Sequence, residues 1–242
     1  MELTMDKLTK MYGKKLALDS FSYSFHEGIY GLLGPNGAGK STLMGIVTTG
    51  LKATSGTVSF NGTDIAAMGK DYRALIGFMP QQQRIYEDFS LMRFLYYIAA
   101  LKGCKKSDVE EQIDDIVKSV NLWEVRNDRI GTYSGGMKQR TLLAQALVGN
   151  PAILIMDEPT VGLDPKERVH FRELVERVSK DKIVIIATHI VSDLEKLASE
   201  IIFLNHGKIV ENGTIPELYE KYGGQGDVSV EDVYMSLGME SK

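Results

Sequence analysis

One cysteine in 242 residues rules out a disulfide framework, and Cys104, alone in LKGCKK, reads as an ordinary free thiol of a reducing compartment. Long apolar runs are missing too. A membrane span needs about 18 consecutive apolar residues, whereas the longest unbroken run here is Phe94–Leu101, so the chain is not expected to cross a bilayer. The first residues, MELTMDKLTK, carry acids and no apolar centre, which excludes a signal peptide on this reading. There is no basic excess: 28 Lys and Arg against 32 Asp and Glu leave a net charge of −4. Without a basic stripe to neutralise a phosphate backbone, nucleic acid is not the expected partner. What remains, 43% apolar and 25% charged residues, describes a soluble globular chain of one large or two small domains.

Short β-branched runs bounded by turn residues alternate with longer helical patterns, the signature of an α/β domain with a mostly parallel sheet core. The expected strands are Ile29–Leu33, Ile76–Pro80, Ile153–Met156, Ile183–Thr188 and Ile201–Leu204. Val58–Phe60 followed by Asn61-Gly62 predicts a hairpin, because both central residues of a tight β-turn need positive φ, and hence an antiparallel β element beside the parallel core. Between Phe89 and Gly149 the strand signals vanish and three helices are expected, an inserted helical lobe. The first runs from Ser90 to Leu101. The second opens on Ser107 and Glu110 in a capping-box pattern and repeats Val109, Ile113, Ile116, Val117 and Val120 at helical spacing. The third runs from Gly135 to Asn150-Pro151. Beyond Ile215, Gly223-Gly224-Gln225-Gly226 reads as a hinge before a short amphipathic helix at Ser229–Leu237.

Gly34-Pro35-Asn36-Gly37-Ala38-Gly39-Lys40-Ser41 matches GxxxxGK(S/T) between an expected strand and an expected helix. The glycines let successive backbone N–H groups turn inward around the α- and β-phosphates, helped by the positive end of the helix. Lys40 then reaches the β- and γ-phosphates, and the Ser41 hydroxyl can bind Mg²⁺. A second strand, Ala152–Met156, ends in Asp157-Glu158 and delivers two carboxylates to the edge of the sheet where ligands bind. Adjacent strand residues point in opposite directions, so the two acids take different tasks: Asp157 the Mg²⁺ shell, Glu158 the polarising of an attacking water. Gln81 and His189 each follow an expected strand, and with Gly34 and Asp157 they make four strand ends converging on one nucleotide, His189 toward the γ-phosphate and Gln81 toward Mg²⁺ or the water. Tyr133-Ser134-Gly135-Gly136-Met137 offers a second anion site, since Ser134 can cap a helix whose first amides are bared by two glycines.

These motifs, in this order and spacing, resemble the nucleotide-binding subunit of ATP-binding-cassette (ABC) proteins over roughly residues 1–215. The glycine-rich loop is similar to their Walker A, Ile153–Glu158 to their Walker B with its catalytic glutamate, Gln81 to their Q-loop and His189 to their switch histidine. Tyr133–Met137 is similar to their signature and Gly162-Leu163-Asp164 to their D-loop. Many P-loop proteins share the Walker motifs, but the Ser134 helix start shortly before Walker B sets this family apart and gives no reason for a P-loop kinase. Tyr133 and Met137 depart from the signature's usual Leu and Gln. Tyrosine keeps the bulk, while methionine removes side-chain hydrogen bonding near the ribose.

The resemblance implies a P-loop NTPase (RecA-like) fold in one ABC ATPase domain, with residues 1–88 and 151–215 as nucleotide-binding core, 89–150 as helical lobe and 216–242 as tail. It implies ATP and Mg²⁺ as ligands, with Thr42 and Asp164 joining the nucleotide set and Tyr12, 22 residues before Gly34, stacking on adenine. It also implies a head-to-tail dimer, either homodimer or paired with another cassette subunit, in which the signature of one chain closes on the Walker A of the other. Transport, with export favoured, then runs through separate membrane-embedded permease subunits, and the chain is peripheral on the cytoplasmic face of the membrane. Ile85, Tyr86, Phe89 and Phe94 are read either as permease contacts or as lobe core. The competing class is a non-transport mechanical ATPase acting on nucleic acid or ribosomes, whose long coiled-coil insertion or tandem cassettes the sequence does not show.

Overall fold

The computed structural model describes residues 1–81, 85–223 and 228–239. In chain order its strands and helices begin with β1 (Glu2–Tyr12), β2 (Lys15–His26), β3 (Gly28–Leu33), α1 (Lys40–Val47), β4 (Ser55–Phe60), β5 (Thr63–Asp64), α2 (Ile65–Met68), α3 (Lys70–Ala74) and β6 (Ile76–Met79). Then follow α4 (Leu91–Lys102), α5 (Lys106–Ser119), α6 (Gly135–Leu147), β7 (Ile153–Asp157) and α7 (Pro165–Val178). The last are β8 (Ile183–Thr188), α8 (Val191–Leu194), β9 (Glu200–Asn205), β10 (Lys208–Thr214), α9 (Ile215–Tyr222) and α10 (Val230–Ser236). They fall into two compact units, Met1–Arg73 with Asp181–Lys242, and Ala74–Lys180.

In the first unit β3 pairs in parallel with β8 on one side and β9 on the other, and β10 adds antiparallel to β9. A strand with neighbours on both edges and cover on both faces reads as an unbroken apolar run, and Ile183–Thr188 is buried at every position. The antiparallel element is larger than the sequence indicates: β2-β1-β4-β5 form a four-stranded sheet. Its β4–β5 hairpin turns at Asn61 (φ 47°) and Gly62 (φ 80°), the positive pair expected there. Leu3, Met5 and Leu8 of β1 and Leu18, Phe21 and Phe25 of β2 supply its buried face.

In the second unit β6 and β7 pair in parallel, from Ile76 opposite Ile153 to Met79 opposite Met156. A Cβ on Gly77 would lie 2.2 Å from the Ala146 carbonyl, so β6 and α6 approach backbone to backbone. Ser90 caps α4 as expected, accepting from the Arg93 N–H. The expected capping box at Ser107 and Glu110 is not formed. Lys105 takes the N-cap position without a side-chain bond, α5 starts before the serine, and the Ser107 hydroxyl donates to Asp108 at 2.5 Å instead. The apolar stripe of α5 is as expected, with Ile113, Val117 and Val120 fully buried. Two capping boxes exist elsewhere, Thr214 with Glu217 at α9 and Ser229 with Asp232 at α10. The Gly224–Gly226 part of the expected hinge lies outside the described residues.

Candidate nucleotide-binding site

In the first unit the loop from Gly34 to Gly39 joins β3 to α1, and its shape is forced by close backbone approach. A Cβ on Gly34 would lie 2.2 Å from the Leu204 carbonyl, and one on Gly39 would lie 2.6 Å from the Ala17 carbonyl. Gly37 and Gly39 hold φ of +84° and +116°, a region costly for other residues. No atom lies within 4 Å of where a Gly37 Cβ would stand, so that flank of the loop is open. A Pro35-to-Ala38 turn, with Ala38 N–H donating at 3.1 Å, is braced by the Gly207 N–H donating to Ala38 O at 2.8 Å. Lys40 is buried at 7% exposure, its ammonium against the carbonyls of Gly34 (2.5 Å) and Pro35 (3.2 Å). Helix α1 has no side-chain cap and no acid in its first turn. Its leading amides therefore face the loop without a capping side chain or a first-turn acid, an arrangement suited to an anion. Asn36 and Ser41 are exposed and Thr42 half-buried.

His189 belongs to the same unit. Leu33 pairs with Thr188, so Gly34 and His189 leave neighbouring parallel strands side by side. The His189 side chain is exposed, and Ile190 N–H donates to the Thr188 hydroxyl at 3.0 Å, which fixes the turn after it. Tyr12 ends β1 at the turn before Lys15, 48% exposed, with the Lys10 ammonium 5.1 Å from its ring centroid. The ammonium covers one face of the ring, and the half-exposed side chain leaves the rest accessible.

The second unit carries the other expected groups. Because Met79 pairs with Met156, the residues after β6 and β7 emerge together, placing exposed Gln81 on the same edge as Asp157 and Glu158. Asp157 is half-buried and Glu158 is 7% exposed. Glu158 also holds φ at +50°, a left-handed backbone that is uncommon for glutamate and concentrates at functional positions. Ser134 caps α6, accepting from Met137 N–H at 3.2 Å, and both Ser134 and Gly135 are exposed. Gly136 is buried against α7, where a Cβ would come within 2.2 Å of the Glu167 carboxylate. Tyr133 is buried and its hydroxyl donates to Val125 O at 2.6 Å, so the polar tip that replaces the usual leucine has a partner. Burial pushes its phenol up to about 12. Asp164 is exposed and caps α7, accepting from Glu167 N–H at 2.9 Å. Of the four residues read as permease contact or lobe core, Phe94 is fully buried core. Tyr86 is 50% exposed and stacks on Phe89.

Glu167 and Gln139 were not singled out from the sequence. Glu167 packs against Gly136, and Gln139 Nε2 donates to Pro159 O at 2.5 Å, tying α6 to the chain just past Glu158. The signal for Glu167 was present: Asp164-Pro165 followed by an acid at the third helical position is a helix start. Among the described residues no group of three or more acidic, histidine or cysteine side chains forms a metal cage. Mg²⁺ bound with a nucleotide does not require one, since it keeps several waters and takes one or two carboxylates plus phosphate oxygens. The Asp157 carboxylate is of the chemistry that donor set takes.

A glycine-rich loop opening an uncapped helix after a central parallel strand defines a P-loop NTPase fold. The chain belongs to the ABC transporter family, whose model matches residues 18–161. It is similar to the uncharacterized ABC transporter ATP-binding protein YxlF of Bacillus subtilis (strain 168), 36% identical over 90% of this chain and 73% of that protein. It is also similar to the linearmycin resistance ATP-binding protein LnrL of the same organism, 33% identical over 92% of this chain and 72% of that one. It spans about a quarter of longer relatives such as ABC transporter A family member 8 of Dictyostelium discoideum, 36% identical over 94% of this chain and 27% of that protein. Among solved structures, an ATP-binding subunit of an ABC transporter matches in fold with a TM-score of 0.86, covering 98% of this chain and 100% of that one at 24% identity. A dimeric bacterial ABC transporter cassette matches with a TM-score of 0.77, covering 88% and 98% at 24% identity.

Proposed function

We propose that the chain hydrolyses ATP as a head-to-tail dimer and thereby drives export through separate membrane-embedded permease subunits, on the cytoplasmic face of the membrane. The observation that carries this reading is that one chain presents two helix starts suited to phosphate, the uncapped start of α1 and the exposed Ser134-Gly135 corner of α6. Using both on every nucleotide requires two chains. The homodimer is the simplest arrangement, and a paired cassette subunit fills the same geometry.

In this reading the amides of Gly34 to Thr42 cradle the phosphates, Lys40 neutralises their charge and Tyr12 stacks on adenine. The partner chain's signature closes over the γ-phosphate, with its Asp164 loop joining the nucleotide set. Ser41 and Asp157 would hold Mg²⁺, with Gln81 beside it, and its charge would offset that of the phosphates. Glu158 polarises the attacking water and His189 holds the γ-phosphate from the adjoining strand end. Residues 1–88 and 151–215 act as nucleotide-binding core, 89–150 as the lobe and 216–242 as tail. No helix among the described residues is long and apolar enough to cross a membrane, which agrees with a need for permease subunits. The antibiotic-resistance relative supports export, and the dimeric cassette supports the assembly.

The test mixes chains carrying Lys40→Ala with chains carrying Ser134→Arg. Each alone spoils both sites of its own dimer, whereas a mixed dimer keeps one intact. Equal mixing should restore about one quarter of the unmutated turnover, by symmetry of the dimer. No recovery at any ratio would sink the composite site.

A further inference from the structure

The C-terminal helices are tied to the segment that carries His189, and one side chain bonds to both of them. Glu195 follows α8 directly and is half-buried. Its Oε1 accepts the Tyr219 hydroxyl of α9 and, at 3.0 Å, the backbone N–H of Val230 at the first turn of α10. One carboxylate oxygen thus joins both tail helices to the stretch that begins at His189. Helix α9 is itself fixed. It continues straight from β10 through the Thr214–Glu217 capping box, and Glu211 of β10 accepts the Tyr222 hydroxyl at 2.6 Å and pairs with Lys221. Leu218, Val230 and Val233 are buried at 1% exposure or less, so the two helices are seated and not merely tethered. On its other side α8 rests on β3: a Cβ on Gly31 would lie 2.8 Å from Leu194, and Ser199 donates through N–H and hydroxyl to Ile29 O, each at 2.8 Å.

We propose that Glu195 is a positioning residue for His189, with α9 and α10 as the fixed post to which it is clamped. Between His189 and Glu195 there is little more than one helical turn, pinned at its start by the Ile190 bond to Thr188 and at its end by Glu195. A short stiff segment held at both ends passes a displacement from one to the other. Anything that lifts the tail helices from Glu195 therefore shifts the His189 side chain along the sheet edge more than the loop after β3, which Ala17, Leu204 and Gly207 also hold.

This inference rests on the role proposed above for His189, and the experiment separates the two. Turnover of ATP and affinity for a fluorescent ATP analogue are measured on the full chain carrying Glu195→Ala, Glu195→Gln, Tyr219→Phe or His189→Ala, and on the Glu195→Ala/His189→Ala double variant, with melting curves for each. Glu195→Ala should lower turnover roughly tenfold, as sub-ångström to ångström misplacement of a reacting-site group does, with affinity unchanged. Glu195→Gln keeps an acceptor oxygen and should restore turnover; Tyr219→Phe, which preserves ring packing, should fall between. In the His189→Ala background the Glu195→Ala loss should disappear. A full further tenfold loss in that background, or unchanged turnover in a folded Glu195→Ala chain, would overturn the clamp alone. Unchanged turnover in His189→Ala would overturn the role of His189 and the clamp with it.

Discussion

The two helix starts proposed to hold phosphate are built by opposite means. At α1 the backbone does everything: Gly34 and Gly39 let carbonyls pass at distances no Cβ allows, no side chain caps the helix, and Lys40 lies back on its own loop. At α6 a side chain does the work, because the Ser134 hydroxyl takes the Met137 amide and Tyr133 anchors the approach through Val125. The first leaves its amides to a ligand. The second has spent one on itself and presents a hydroxyl in its place. Substitutions at α1 should therefore remove binding, whereas those at α6 should leave each chain's own nucleotide binding intact and affect only what a second chain does with it.

The largest effect falls outside both starts and shows whether they act without the acid. Glu158→Gln should cut turnover about 10²-fold or more, the usual worth of a positioned general base, while the nucleotide stays bound. Lost binding would mean that Glu158 holds the fold and not the water. Next, Gly39→Ala sets a methyl group 2.6 Å from the Ala17 carbonyl at a φ of +116°. Strain and overpacking of about 3 kcal/mol together should reduce ATP affinity roughly 10²-fold by equilibrium dialysis, and full affinity would break the contrast. Ser134→Ala should cost about 1 kcal/mol of stability as a lost helix cap, seen in a denaturant midpoint, with single-chain affinity unchanged and turnover lowered by less than in Glu158→Gln. Smallest is Tyr133→Phe. The Tyr133 phenol is pushed up to about 12 by burial, above its value near 10 in an unfolded chain. The stability it lends is therefore complete below pH 10 and is lost as the pH rises through 12, and a phenylalanine chain should show a smaller alkaline decline, since Tyr219 and other tyrosines with raised phenols keep theirs.

What the sequence disclosed follows from how fully a strand is buried. β3, β6, β7, β8 and β9 are continuous apolar runs and were read within a residue or two. β1 and β2, the longest strands, were not, because they are half-buried and broken by register shifts near Lys7 and Ser20, both at positive φ. Capping boxes show the reverse difficulty: four residues fit at Ser107, Thr214 and Ser229 alike, and only packing decides where a helix begins. The glycine-rich loop was legible because its geometry is local. The contacts of Glu167 with Gly136 and of Glu195 with Tyr219 join residues far apart in the chain; a helix start marks Glu167 locally, but no local pattern marks either contact.

The Glu167 carboxylate occupies the space that a side chain at Gly136 would need, and the helix it belongs to starts at Asp164. A designer who enlarges position 136 would consequently be pushing on the loop before α7 as well. The corner before α6 and the start of α7 are thereby coupled through one carboxylate, and a change of size at either one is felt by both.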